Sequence, residues 1–315
     1  MSRQWSEERI LVTGGKGFLG RAVCRELVKR GCRRILAPGS SDYNLTKQSE
    51  VAEVFRAFPC DMVIHLAAVV GGIEANRKHP GRFLYENLVM GVEVMERARI
   101  AGVRKFVAIG TVCAYPKFTA VPFKEEHLWD GYPEETNAPY GLAKKMLLVQ
   151  SQAYRQEYGF NSIYLLPVNL YGPGDNFDPE TSHVIPGLIG KLMEAKRLGR
   201  PTVTAWGSGR ASREFLYVDD AAEAILLAAE RYDEADPVNI GTGEEIAISD
   251  LARMIAEEVG FEGEILWDRD RPDGQPRRRL DISRAEELFG FKARTALREG
   301  IRRTVQWQLL QGENR

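Results

Sequence analysis

From Thr13 the chain reads Thr-Gly-Gly-Lys-Gly-Phe-Leu-Gly, with glycines at 14, 17 and 20 directly after the apolar run Arg9 to Thr13. A strand that empties into such a loop and then into a helix turns tightly and brings bare backbone close to a ligand. The following helix N-terminus offers its unpaired N–H groups to negative charge. The G-x-x-G-x-x-G spacing departs from the G-x-G-x-x-G fingerprint, but it meets the same demands and points to a bound pyrophosphate. This feature commits the start of the chain to a strand–turn–helix unit.

The unit is repeated. Arg21 to Arg30 has the pattern of a helix; Arg34 to Ala37, Met62 to Leu66, Lys105 to Ile109 and Ser162 to Leu166 have that of strands; Phe83 to Ala101 and Tyr140 to Tyr158 are long helical stretches. Alternation of strand and helix predicts an α/β fold, a Rossmann-type doubly wound parallel sheet with helices on both faces. After Leu170 the pattern changes, and turns such as Gly172-Pro173-Gly174-Asp175 and Trp206-Gly207-Ser208-Gly209 break up short elements. At 315 residues the chain is long for one core. The expected division is a dinucleotide-binding domain over 1–170 and a smaller C-terminal substrate lobe over 171–315, with segments exchanged between them.

A formal net charge of -1 gives no reason to expect nucleic acid or an acidic membrane as partner. Cys24, Cys32, Cys60 and Cys113 match no zinc spacing, so no metal is expected, and a chain this size needs no disulfide framework. Met1 to Arg9 is polar and charged, unlike a signal peptide, and no apolar run is long enough to span a bilayer. The expected compartment is a reducing cytoplasm.

Tyr140 and Lys144 are four residues apart and share one helix face. Such a pair polarises a carbonyl for hydride transfer. Cys113 and His183 add a thiol and an imidazole, groups suited to removing and returning protons on carbon. Cys24, Cys32 and Cys60 read as structural, His65 as a packed residue, Asn87 as a bridge between backbone groups near the site, and Asp219 and Asp220 as caps of a helix over Ala221 to Glu230. The coenzyme type is less constrained. An acid after the second strand would favour NAD, yet that place reads Ala37-Pro38-Gly39-Ser40-Ser41 before Asp42. Lys16 suits a 2′-phosphate, so NADP is favoured and NAD left open.

These pieces resemble the extended short-chain dehydrogenase/reductases. Gly110-Thr-Val-Cys113-Ala-Tyr115-Pro116, Pro167-Val-Asn169-Leu-Tyr171-Gly-Pro173, Ser182-His183-Val-Ile-Pro186, Trp206-Gly-Ser-Gly209, Arg213-Glu-Phe215 and Pro272-Asp-Gly-Gln-Pro276-Arg277 resemble the GDP-L-fucose synthase family over almost the whole chain. The resemblance implies an NADPH-dependent enzyme that inverts C3 and C5 of GDP-4-keto-6-deoxy-D-mannose and then reduces C4. It implies catalysis by Thr111, Cys113, Tyr140, Lys144 and His183. The implied cofactor contacts are Gly14, Gly15, Lys16, Gly17, Phe18, Leu19, Gly20, Ser40, Leu66, Ala67, Ala68, Asn87, Ile109, Gly110, Thr111, Lys144, Pro167, Asn169, Leu170 and His183. Lys191, Trp206, Arg213 and Arg277 (or Arg278) are the implied substrate contacts, with Trp206 either stacking on base or sugar or packing its own lobe. A homodimer through a four-helix bundle of Phe83 to Ala101 and Tyr140 to Tyr158 is implied as well.

This chain departs from the family pattern in places. Thr111 and Val112 stand where serines are usual, Gly15-Lys16 where His-Arg is usual, and Lys191 where arginine is usual; an arginine after the second strand is missing. Related GDP-colitose and GDP-deoxy-heptose enzymes share nearly the same residues, so the sugar stays open. A UDP-sugar 4-epimerase would not need the Cys113 and His183 pair, and a dehydratase would place an Asp-Glu pair where Val112 and Cys113 stand. A non-catalytic nucleotide sensor would not need Tyr140 and Lys144.

Overall fold

Strands that are apolar at every position belong in a sheet covered on both faces. The computed structural model, which describes residues 4–271 and 273–313, contains such a sheet. Pro272 and the first three residues of the polar N-terminal stretch lie outside the described residues. The chain begins β1 (Arg9–Thr13), α1 (Phe18–Lys29), β2 (Arg34–Leu36), α2 (Gln48–Ala57), β3 (Met62–His65), α3 (Ile73–Lys78), α4 (Pro80–Ile100) and β4 (Lys105–Ile109). It continues α5 (Ala138–Tyr158), β5 (Ser162–Pro167), β6 (Asn169–Tyr171), α6 (Val184–Arg197), β7 (Thr202–Trp206) and β8 (Ser212–Tyr217). It ends α7 (Val218–Arg231), β9 (Val238–Ile240), β10 (Glu245–Ala247), α8 (Ile248–Val259), β11 (Glu264–Asp268), α9 (Ser283–Phe289) and α10 (Leu297–Glu313).

The main sheet is parallel throughout, in the order β2-β1-β3-β4-β5-β9. β3 and β4 are buried along their whole length. The order reverses beside β1, and ligands of open α/β sheets bind in the crevice at such a point, outside the carboxyl ends of the strands. Register sets Thr13 opposite His65 and His65 opposite Ala108, so these strands finish along one edge.

The chain does not divide at one point. β9, α7 and α9 pack into the same core as β1 to β5, through Ala221, Ile225, Val238, Ile240, Ala285 and Phe289. A second core of Ile185, Leu192, Phe215, Leu251, Ile255 and Ile301 supports the C-terminal lobe. Two small sheets, β10-β8-β6 and β11-β7, complete that lobe. No helix among the described residues is long and apolar enough to cross a membrane.

Helix starts differ from the sequence expectation. α1 begins three residues before Arg21, with Gly17 as its N-cap. α4 begins with Pro80, and α5 carries Pro139 in its first turn, where a missing N–H costs nothing. α7 starts at Val218 with Tyr217 as N-cap, which corrects the capping role given to Asp219 and Asp220. Asp219 instead pairs with Arg25 of α1 at 2.8 Å. Asp220 accepts hydrogen bonds from the backbone of Arg294 and Thr295, and so secures the approach to α10.

Arg9 opens β1 and grips Asp61, just before β3, through its Nε and Nη2 at 3.0 Å each. The same carboxylate accepts the Arg9 backbone N–H at 2.9 Å. The Arg9 guanidinium holds the Asp61 pKa down to about 2, against the opposing effect of burial. A depressed carboxylate pKa contributes stability above its ordinary pKa, and that contribution is lost as pH falls toward the folded value. Arg9 is partly exposed, which moderates the effect. Asp61→Asn is therefore expected to destabilise the fold by about 1–2 kcal/mol at neutral pH. In urea unfolding followed by circular dichroism, the difference from the unaltered chain should shrink between about pH 4 and pH 2. A difference that is constant over that range would refute the assignment.

Candidate active site

The glycine loop fills the crevice side of β1. Gly14 has φ +68°, and a Cβ there would lie 2.8 Å from the Ala67 nitrogen on the neighbouring strand end. At Gly20, inside the first turn of α1, a Cβ would lie 2.1 Å from the Gly14 carbonyl oxygen. These positions exclude side chains because backbone meets backbone. Gly17 gives α1 no side-chain cap, and no acidic residue stands in its first turn. The helix N-terminus is thus free to face an anion, and the loop fits the pyrophosphate of a dinucleotide. Phe18 and Leu19 pack against the main core. Leu66, Ala67 and Ala68 follow β3 beside the loop, and Ser40 is exposed beyond β2. Ile109 turns its side chain into the core at the end of β4, while Pro167 closes β5 and Leu170 lies in β6.

Asn87 bridges backbone groups beside the site, as expected: its amide is buried, accepting from Val69 N at 2.9 Å and donating to the carbonyls of Val69 and Phe83 at 3.0 and 2.7 Å. It holds the segment after β3 in place. Asn169 likewise donates to the Glu214 carbonyl at 2.9 Å, joining β6 to β8. His65 is packed: Thr13 Oγ1 meets its Nδ1 at 2.8 Å, and burial, aided by the Lys144 charge, lowers its pKa to about 3.

The chemical groups gather where α5 crosses the turn after β4. Thr111 caps the short turn Val112–Ala114, its hydroxyl accepting from Cys113 N at 3.2 Å. Tyr140 lies against this turn because Gly141 beside it has no side chain; a Cβ at 141 would stand 2.4 Å from the Cys113 carbonyl oxygen. Burial raises the Tyr140 pKa, the neighbouring Cys113 adds to it, and a hydrogen bond with Thr111 opposes it. One turn along α5, Lys144 is 2% exposed, and burial lowers its pKa to about 8. The Tyr140 ring also meets Phe83 of α4 edge-on at 6.4 Å.

A cationic wall stands beside Cys113. Arg278 Nη1 donates to the Cys113 sulfur at 3.5 Å, and its Nε donates to Gln275 Oε1 at 3.2 Å. Gln275 in turn donates to the Lys117 carbonyl at 2.8 Å. Arg213 is held by the carbonyls of Ser212 and Asp273 at 2.7 and 2.9 Å. Burial, with repulsion from Arg278, lowers the Arg213 pKa to about 10. Glu214, next to Arg213 in β8, is fully buried and accepts from Leu280, Thr242 and Gly243 backbone N–H groups at 2.6, 2.6 and 2.8 Å. Arg277 is the correction here: it turns outward and pairs with Glu245, so Arg278 is the arginine that faces the site. Residues 276–280 run extended beside β8, with Ser212 and Glu214 donating to the Pro276 and Arg278 carbonyls. Arg278 shares its side with buried Leu280, and that alternation was the overlooked signal.

His183 is the N-cap residue of α6 and makes no side-chain cap; desolvation lowers its pKa. The segment ahead of it is tied to the loop after β3, Gly72 N donating to the Thr181 carbonyl at 3.2 Å. Trp206, at the end of β7, is 48% exposed. Lys191 and Arg271 lie over its ring at 5.0 and 4.9 Å, and Arg271 was not anticipated from the sequence. Lys191 also donates to the Thr204 carbonyl at 3.3 Å.

Residues 10–241 match the NAD dependent epimerase/dehydratase family. The chain is 41% identical over 300 residues to a probable GDP-L-fucose synthase 1 of Oryza sativa subsp. japonica, covering 95% of this chain and 91% of that one. Among solved structures it resembles a GDP-6-OMe-4-keto-L-xylo-heptose reductase from C. jejuni, with TM-score 0.91, 28% identity, and 99% and 100% of the two chains covered. It also resembles a GDP-L-fucose synthetase from Naegleria fowleri bound to NADP, with TM-score 0.89, 30% identity, and 98% and 95% covered.

Gly141→Ala tests the close approach of α5 to the Cys113 turn. The added methyl should push the two apart by about 1 Å and lower turnover by about 100-fold. Overpacking should cost about 1–3 kcal/mol, so the variant should still fold and give a normal far-ultraviolet circular dichroism spectrum. Full turnover in a folded variant would show that this contact does not set the site.

Proposed function

The chain belongs to the NAD dependent epimerase/dehydratase family, and from that membership we propose an NADP-dependent epimerase-reductase that converts GDP-4-keto-6-deoxy-D-mannose to GDP-L-fucose. The observation that carries this reading is the convergence of Thr111, Cys113 and Tyr140 on one turn, with buried Arg278 on the Cys113 sulfur. A reductase alone needs the tyrosine and lysine. A thiol held beside them has a further task.

The C4 ketone acidifies the hydrogens on C3 and C5. Cys113, acting as the thiolate, takes a proton from the sugar carbon and becomes the thiol, and the electron pair of the C–H bond moves to the C4 oxygen as an enolate. Tyr140 and Thr111 donate hydrogen bonds to that oxygen, where the negative charge develops. His183 returns a proton from the opposite face, and the carbon is inverted. The coenzyme, when bound, would supply the hydride that C4 accepts. Tyr140 then gives its proton to the C4 oxygen, and Lys144, largely charged below about pH 8, supports the phenolate that remains. Gly14, Gly17 and the start of α1 would hold the coenzyme pyrophosphate. Arg213 and Lys191 meet the substrate phosphates, and Trp206 stacks on the nucleotide.

A GDP-keto-sugar reductase acting on a heptose is the second reading, favoured by the likeness to the C. jejuni heptose enzyme. The protein would work in the cytoplasm, where its four free cysteines stay reduced.

The working unit is a homodimer. α4 and α5 pack against each other yet leave Leu84, Tyr85, Val92, Val149 and Tyr158 exposed. These residues supply the apolar face of a four-helix bundle with a second copy. The double substitution Val92→Glu and Val149→Glu should convert the dimer to a folded monomer, read by light scattering after size exclusion. A unaltered protein that is already monomeric would end this part of the proposal.

Incubation with GDP-4-keto-6-deoxy-D-mannose and NADPH in deuterated water tests the chemistry. Cofactor absorbance should fall, and proton NMR should show deuterium at both C3 and C5 of a reduced sugar. Cys113→Ser should lose the exchange while retaining coenzyme binding. Reduction without exchange would move the assignment to a simple keto-sugar reductase; no reduction would send the search to heptose substrates.

A further inference from the structure

A guanidinium stays charged in a protein, so burying one without a partner is costly. Arg278 is 7% exposed, and among the described residues no carboxylate lies within ion-pair distance of it. Its hydrogen bonds go to two other groups. Nη1 donates to the Cys113 sulfur at 3.5 Å, and Nε donates to Gln275 Oε1 at 3.2 Å. Of these two acceptors only the sulfur can carry a compensating negative charge. Arg213, the other cation of this wall, spends its guanidinium on the Ser212 and Asp273 carbonyls instead.

Gln275 accounts for the aim of this arginine. Its side chain is buried, and Nε2 donates to the Lys117 carbonyl at 2.8 Å and to the Pro116 carbonyl at 3.4 Å. Those carbonyls lie on the segment that runs on from Cys113. A ring of contacts therefore closes, from the Cys113 turn through Gln275 to Arg278 and back to the Cys113 sulfur. Both ends of the Gln275 amide are used in it. The backbone of this stretch is secured separately. Ser212 N donates to the Pro276 carbonyl at 3.0 Å, Glu214 N to the Arg278 carbonyl at 3.1 Å, and Phe123 N to the Arg279 carbonyl at 2.8 Å. The amide thus directs a side chain and is not needed to hold the strand.

We propose that Gln275 is a positioning residue that aims Arg278 at the Cys113 sulfur, and that Arg278 holds Cys113 as the thiolate that takes the sugar proton. Arg278 gives up no proton. Its charge and its N–H stabilise the sulfur anion until the C–H bond breaks and the sulfur becomes a neutral thiol. The proposal rests on the epimerase-reductase reading given above and adds how the base of that reaction is held.

Two measurements on the full-length protein test it. In the first, the protein without sugar is treated with iodoacetamide at pH 7, and alkylation of Cys113 is followed by peptide mass spectrometry, with half-buried Cys24 as the internal reference. Gln275→Met and Arg278→Met should each slow Cys113 alkylation by about tenfold, and Arg278→Lys should keep most of the rate. Cys24 should react as before. The second measurement separates the two halves of the reaction. Gln275→Met should lower the kcat of deuterium incorporation at C3 and C5 of GDP-4-keto-6-deoxy-D-mannose by about tenfold at unchanged KM, and oxidation of GDP-L-fucose by NADP+ should stay within about twofold. An unchanged alkylation rate in both methionine variants would overturn the proposal. Equal losses of exchange and oxidation in Gln275→Met, or a raised KM in both, would overturn it too and assign the amide to substrate binding or to the fold. If the unaltered protein neither exchanges nor reduces the keto-sugar while the variants still slow alkylation, the fucose reading falls and the hold on the thiol stands.

Discussion

A single buried carboxylate holds the seam of this molecule. Glu214 in β8 is fully buried and gathers backbone N–H groups from the turn after β9 and from Leu280. Burial raises its pKa and the backbone donors oppose that shift. Its own N–H donates to the Arg278 carbonyl at 3.1 Å, and its carbonyl accepts from Asn169. β6, β8, the end of β9 and the extended 276–280 segment are thereby fixed to one residue, by its backbone and its carboxylate together. Arg213 precedes it in the chain, and Arg278 lies on the strand it secures. The two cations beside Cys113 inherit their positions from a group that touches no ligand.

The other side of the cleft is set by contact distance rather than charge. α5 approaches the Cys113 turn at Gly141, which carries Tyr140 to Thr111, while Lys144 follows one turn later. The parallel sheet supplies the frame, since its strands end together along one edge. Neither half of the cleft is sufficient alone. The helix face brings the phenol and the ammonium, and the extended segment brings the guanidinium groups.

Much of this was legible in the chain. Glycines at 14, 17 and 20, each needed for turn or helix packing, announced the first strand–turn–helix unit, and the run of apolar strands announced the parallel sheet. The four-residue spacing of Tyr140 and Lys144 is enough to place both on one helix face. What escaped was long-range. Arg277 and Arg278 are adjacent and chemically identical, and only the alternation beside β8 sends one to Glu245 and the other to Cys113. Asn87 reads as a bridge between backbone groups and is one, but only the fold shows that the groups it joins belong to Val69 and Phe83. Pro80 at the start of α4 and Pro139 in the first turn of α5 are local start signals that lie ahead of the first strong apolar or aromatic position of each helix.

The return of β9 to the main sheet has a consequence for the order in which this protein is made. Its sixth strand, Val238–Ile240, pairs with β5 some seventy residues after β5 has ended. While the chain leaves the ribosome, β5 stands as an open edge with unpaired N–H and C=O groups. β6, α6, β7, β8 and α7 lie between β5 and β9 and must be synthesised before that edge is closed. Closure of the main sheet thus waits until the first part of the substrate lobe exists, while β10, α8, β11 and α10 are still to be made.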